Sequence, residues 1–228
     1  MSKKLICFSL WGENPKYTIG ALKNAELLES IYPGWIGRFY CGKSTPIETI
    51  ENLKKFPNVE VVEYEDFGNW TGMFWRFYPA SEADIEVMMS RDVDSRLNMR
   101  EKLAVDEWLE SDKSFHIMRD HPWHTALILG GMWGVKYPKL KGIKILIDNY
   151  KKGNYWQVDQ EFLTDIVYPM ISTDYIAHDE FFGYGPSLKF PSEREGSQFV
   201  GESFDENDIP VQEHRKALEW ELKRKIVI

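Results

Sequence analysis

Cysteine is nearly absent. Cys7 and Cys41 are the two in 228 residues, too few for a disulfide framework to replace a hydrophobic core, so two buried, reduced thiols are expected. Long apolar runs are missing too. None approaches the roughly 20 residues a membrane helix needs, and the short apolar stretch after Lys4 ends at Trp11-Gly12-Glu13-Asn14-Pro15 before it can form a signal peptide. A soluble, cytoplasmic chain with no membrane span is the expectation. Positive charge is in deficit: a net charge of −8 disfavours a surface built for nucleic acid or anionic lipid. A phosphorylated ligand would therefore need local help from a metal or a few placed arginines. Neither Gly-x-Gly-x-x-Gly nor a Gly-Lys-Ser/Thr phosphate loop occurs, which argues against a dinucleotide oxidoreductase and a kinase of the phosphate-loop kind.

Apolar residues are not scarce, at 43% with nine Trp, eleven Tyr and thirteen Phe, and their order shows the architecture. Leu5 to Leu10 reads as a strand. Tyr17, Ala21, Ala25, Leu28 and Tyr32 recur at helical spacing until Pro33-Gly34. Trp35 to Cys41 is a second strand, Pro46 to Lys55 a helix, and Val59 to Tyr64 a third strand. Such alternation predicts an α/β fold with a mostly parallel sheet. An aromatic-rich segment, Asp66 to Tyr78, follows and ends at Pro79. Phe115 to Met118 and Tyr175 to Ala177 are further strands, Leu127 to Val135 is an apolar stretch interrupted by Gly130, Gly131 and Gly134, and Phe162 to Ile171 is a regular helix. Beyond His178 periodicity fades until a short amphipathic helix near Val211 to Lys223. No repeat or linker divides the chain, so one domain is expected.

The segment Ile85 to Arg96 carries the most chemistry. Ile85, Val87, Met88 and Met89 form an uninterrupted apolar run, the pattern of a strand covered on both faces. Asn98 and Glu101 read as a capping box opening a helix from Met99 to about Glu110. Asp92 and Asp94 thus fall at the carboxyl end of a parallel strand, where open α/β sheets bind ligands. Other acidic pairs share their spacing, so this context singles them out. Arg76 lies among Phe74, Trp75, Phe77 and Tyr78, and a guanidinium in such a setting needs an anionic or aromatic partner. Arg91 and Arg96 flank the aspartates and are expected to neutralise the carboxylates. His116, His121 and His124 lack the spacing of a tetrahedral zinc site, and a loop wall is the better reading.

Taken in order, the Ile6-Cys7-Phe8-Ser9-Leu10 strand, the Ser90-Arg91-Asp92-Val93-Asp94-Ser95-Arg96 segment, the Gly130-Gly131-Met132-Trp133-Gly134 turn, the Asp159-Gln160 helix start and the late His178-Asp179 resemble the GT-A glycosyltransferases. Within that family the chain resembles the small glycosyltransferase domains of large algal (chlorella) viruses. The resemblance covers roughly Lys4 to Gly183. It implies a single GT-A, Rossmann-like domain, with residues 1–97 as the nucleotide-binding half and 98–228 as a less regular acceptor-side half.

It further implies transfer of a sugar from a nucleotide donor, a UDP-sugar first, to a hydroxyl of a glycan or glycoconjugate acceptor. Asp92, Asp94 and His178 would hold Mn²⁺ or Mg²⁺ against the leaving diphosphate. Phe8, Ser9, Leu10, Trp11 and Tyr17 would meet the nucleoside, although Trp11 and Tyr17 serve equally as core. Arg76, Arg91, Asp92, Gly131 and Trp133 would complete donor binding. Asp159 is the expected base, in a position where an aspartate is also favoured as a helix cap. Two rivals use the same residues differently: a nucleotidyltransferase or metal phosphohydrolase on the same aspartates, and a noncatalytic carbohydrate-binding module built on the aromatics.

Overall fold

The computed structural model describes residues 2–226. Eight strands form one sheet: β1 (Lys3–Leu10), β2 (Ile36–Cys41), β3 (Val59–Glu63), β4 (Ile85–Arg91), β5 (Phe115–Arg119), β6 (Met132–Lys136), β7 (Tyr175–Asp179) and β8 (Ser187–Leu188), in the order β3-β2-β1-β4-β6-β5-β7-β8. Neighbours run parallel except around β6, which is antiparallel to both β4 and β5. The expected α/β fold with a mostly parallel sheet is what forms.

The helices are α1 (Pro15–Ile31), α2 (Ile47–Leu53), α3 (Met99–Glu110), α4 (Ile143–Asn149), α5 (Val158–Phe162), α6 (Tyr168–Ile171) and α7 (Gln212–Ile226), with a 3₁₀ segment at Trp70–Ser81. α1 starts where Asn14 caps the Lys16 amide at 3.0 Å and Pro15 occupies the first turn, a position where its missing N–H costs nothing. α3 matches its expected bounds. Its capping box is half-made, however: Asn98 accepts from the Glu101 amide at 3.0 Å, while the Glu101 carboxylate turns to Arg91 and Tyr32. The expected helix from Phe162 to Ile171 is divided by a π turn, Leu163–Val167. Pro169 lacks the N–H that would close an α turn there.

Alternate residues of β1 pack into two cores. Leu5 and Cys7 face the 3₁₀ segment, α4 and α5, whereas Ile6, Phe8 and Leu10 face α1, α2 and α3. Burial on both faces is why the strand reads as a continuous apolar run. Among the described residues, no helix is long and apolar enough to cross a membrane.

Candidate active site

β1 and β4 are parallel neighbours, with Cys7 opposite Ser90. The chain leaves β1 toward β2 and β3 on one side, then returns to place β4 on the other, so their carboxyl ends flank a topological switch point. Loops diverge there and leave a crevice. A cleft of about 330 Å³ occupies it, and its walls include Ser9, Leu10, Trp11, Tyr17, Arg76, Asp92, Asp94 and Asp159.

The loop carrying the two aspartates is held from behind by α1. Gly20 lets the helix come so close that a Cβ there would lie 2.1 Å from the Val93 carbonyl oxygen. One turn on, buried Asn24 donates to the carbonyls of Val93 (3.2 Å) and Ser95 (2.8 Å) and accepts from the Leu97 amide (3.1 Å). Asp94 is tied through a single oxygen: its Oδ2 accepts from Lys16 Nζ at 2.7 Å and from Ser203 Oγ at 3.1 Å. Asp92 Oδ1 accepts from Arg76 Nη1. Each carboxylate therefore keeps one oxygen without a protein partner among the described residues.

That donor set fits a hard divalent ion of the Mg²⁺ or Mn²⁺ type, which takes one or two carboxylates and completes its shell with phosphate and water. No group of three or more His, Cys, Asp and Glu suited to a metal occurs among the described residues.

Arg76 is buried and extends from the 3₁₀ segment to both acids. Besides Asp92, it reaches Asp159 Oδ2 through Nη2 at 3.0 Å and the Arg91 carbonyl through Nη1 at 3.0 Å. Asp159 sits in the first turn of α5. It is not the cap, a place taken by Gln157 in left-handed conformation with φ 70°. Burial pushes its carboxyl above the usual range, Arg76 opposes this, and Asp92 adds to it. Its Oδ1 is buried without a hydrogen-bond partner. Glycines leave room for these acids: a Cβ on Gly130 would sit 2.2 Å from Asp159 Oδ2, and one on Gly131 2.2 Å from Asp92 Oδ2.

Five of the expected residues are not among the cleft walls; one of them, Gly131, backs Asp92, and the other four lie elsewhere. Phe8 points into the α1 core and stacks on Phe39 at 4.7 Å. Trp133 is fully buried, stacked on Phe115 at 5.3 Å and edge-on to Phe77. Arg91 alternates to the face opposite Arg76, where it pairs with Glu101 at 3.1 Å. His178 is buried on β7, with Nδ1 2.8 Å from His116 Nε2 and Nε2 3.3 Å from Glu107; it is not among the cleft walls. The expected metal shell of Asp92, Asp94 and His178 is thus not assembled.

Asn24, Lys16 and Ser203 were not anticipated. A polar Asn24 on the apolar stripe of Ala21, Ala25 and Leu28 was the available signal. Ser203 joins from an aperiodic segment that offers none.

No family profile matches the sequence, and no curated protein matches it. Solved structures do match. A glycosyltransferase involved in glycosylation of the major capsid of PBCV-1 aligns with a TM-score of 0.54 and 19% identity, over 78% of this chain and 81% of that one. A mannosyltransferase from Pyrobaculum calidifontis in complex with GDP-Man and Mn²⁺ aligns with a TM-score of 0.46 and 13% identity, over 62% and 46%. TarS of S. aureus aligns at 0.44 and 14%, over 63% and 49%. The chain spans about half the length of these last two. The first alignment establishes a shared fold, that of a GT-A glycosyltransferase.

Proposed function

We propose that the cleft transfers a sugar from a nucleotide-sugar donor, a UDP-sugar in the first instance, to a hydroxyl of a glycan acceptor. Residues 1–97 hold the donor and residues 98–228 present the acceptor. One observation carries the reading: Asp159, a buried carboxylate with an unpartnered oxygen and a raised pKa, shares a cleft with the paired Asp92 and Asp94.

Asp159 takes the proton of the acceptor hydroxyl. The freed oxygen forms its bond to the anomeric carbon as the bond to the diphosphate oxygen breaks, and the electron pair leaves with the nucleoside diphosphate. Direct displacement of this kind inverts the anomeric centre. Arg76 fixes Asp159 and Asp92 in register and keeps the buried acid ionisable. A divalent cation on Asp92 and Asp94 would offset charge on the leaving diphosphate. Ser9, Leu10, Trp11 and Tyr17 form the wall for the nucleoside, with Trp11 edge-on to Trp70 at 6.5 Å.

The test is nucleoside diphosphate release from a panel of nucleotide sugars with Mg²⁺, Mn²⁺ or chelator. Turnover that falls in Asp94→Asn supports the reading. Pyrophosphate release from nucleoside triphosphates, or glycan binding with no turnover, would replace it.

A further inference from the structure

The loop after β5 presents one histidine to the cleft in a fixed protonation state. His124 is a wall residue. Its backbone amide donates to the His121 carbonyl at 2.9 Å, and its Nδ1 accepts from the Asp120 amide at 3.1 Å. With Nδ1 acting as acceptor, the ring proton of the neutral imidazole is on Nε2. His121 shows the same pattern: Nδ1 accepts from the Trp123 amide at 3.0 Å, so Nε2 donates to the His214 carbonyl at 2.9 Å. Phe199 packs on both rings. Burial, with His121, His214, Arg194 and Arg119 adding to it, pushes His124 down to about 3. It stays neutral across the working pH range. No protein group accepts from its Nε2 among the described residues.

The surrounding wall has a distinct character. Wall residues contributed after residue 98 include no Lys or Arg, and Asp159 is their one acid. Trp156, also a wall residue, is 64% exposed and is followed by Gln157 in its left-handed backbone conformation. An L-residue is rarely held there, and such strain collects at ligand sites. An exposed aromatic face, an amide side chain and a neutral N–H donor suit an uncharged ring bearing hydroxyls. They offer no positive charge to a phosphate or carboxylate, which Asp159 would repel.

We propose that His124 and Trp156 form the acceptor subsite, and that the acceptor is a neutral sugar. Trp156 stacks on its ring, and His124 Nε2–H donates to a hydroxyl next to the one that Asp159 deprotonates. The proposal rests on the glycosyl-transfer reading and adds to it the charge of the acceptor and the residues that hold it.

Transfer is measured to neutral methyl glycosides of glucose, galactose and mannose, and to methyl glucuronide and a sugar phosphate. Neutral acceptors are expected to be used and the anionic ones rejected. With His124→Ala, the acceptor KM is expected to rise about tenfold, the loss of one hydrogen bond, and transfer to fall relative to donor hydrolysis. His124→Gln, which keeps an N–H donor, should recover part of the loss, and Trp156→Ala should weaken the same KM. An unchanged transfer-to-hydrolysis ratio in His124→Ala, or equal use of anionic acceptors, overturns the proposal. If no nucleotide sugar is turned over, the glycosyl-transfer reading fails. The subsite is then judged by saturation-transfer NMR with the same methyl glycosides: binding weakened by both substitutions upholds it, and no binding, or binding that neither substitution weakens, overturns it.

Discussion

Arg76 donates to Asp159 at 3.0 Å through one terminal nitrogen and to Asp92 through the other, so a single buried cation links the proposed base to the donor loop. Replacing it by Met leaves two acids facing each other with no cation between them. Breaking such a buried pair costs about 3–5 kcal/mol. Arg76 also lowers the Asp159 pKa against burial. Arg76→Met therefore moves the acid limb of the pH–rate profile to higher pH, and Arg76→Lys moves it less. Rate profiles of the two variants check this.

Asp159 predicts a trade of stability for activity. Its folded pKa lies above the unfolded value, so above that pKa its ionisation destabilises the fold. The penalty is absent below the unfolded pKa and grows as pH rises through the window up to the folded one. Relative to the native chain, Asp159→Asn is expected to gain melting temperature as pH rises through that window, offsetting part of what the loss of Arg76's partner costs. Activity falls by about a hundredfold or more, the lower range for a positioned base. Thermal melts of both proteins across pH are the check.

Asn24 predicts an effect at a distance. Its side chain is not itself a cleft wall, yet it holds the loop of Asp92 and Asp94 at three backbone points. Asn24→Leu leaves those groups buried and unpaired, at about 2 kcal/mol or more. Donor affinity should drop as well, because the loop loses its register. Denaturant unfolding and nucleotide titration separate the two losses.

Gly130 and Gly131 are required for space. Neither has a left-handed backbone, but an added methyl would meet Asp159 in one case and Asp92 in the other. Each Gly→Ala change should displace its acid and cost on the order of a hundredfold in rate. Turnover of the two alanine variants tests this.

The strands β1 to β4 were legible because they are apolar runs, the first three separated by helices with recognisable starts. Asp92 and Asp94 emerged from that context. Strands covered on both faces also hide which residues meet the ligand. Phe8 and Trp133, adjacent to cleft residues in sequence, alternate into the cores. Arg91 turns from the cleft for the same reason, to Glu101 in the first turn of α3. The antiparallel direction of β6 was not legible, since an apolar run has the same period in either direction. The place of His178 in the chain order points to a ligand, whereas its contacts with His116 on β5 and Glu107 on α3 are tertiary and leave no trace in the sequence.

Nucleoside diphosphate release, measured for the native chain, Asp94→Asn and Asp159→Asn with one nucleotide sugar and one neutral acceptor, tests the account most directly. The prediction is release by the native protein, with strong loss in both folded variants. Native-level release in a folded Asp159→Asn protein would contradict it.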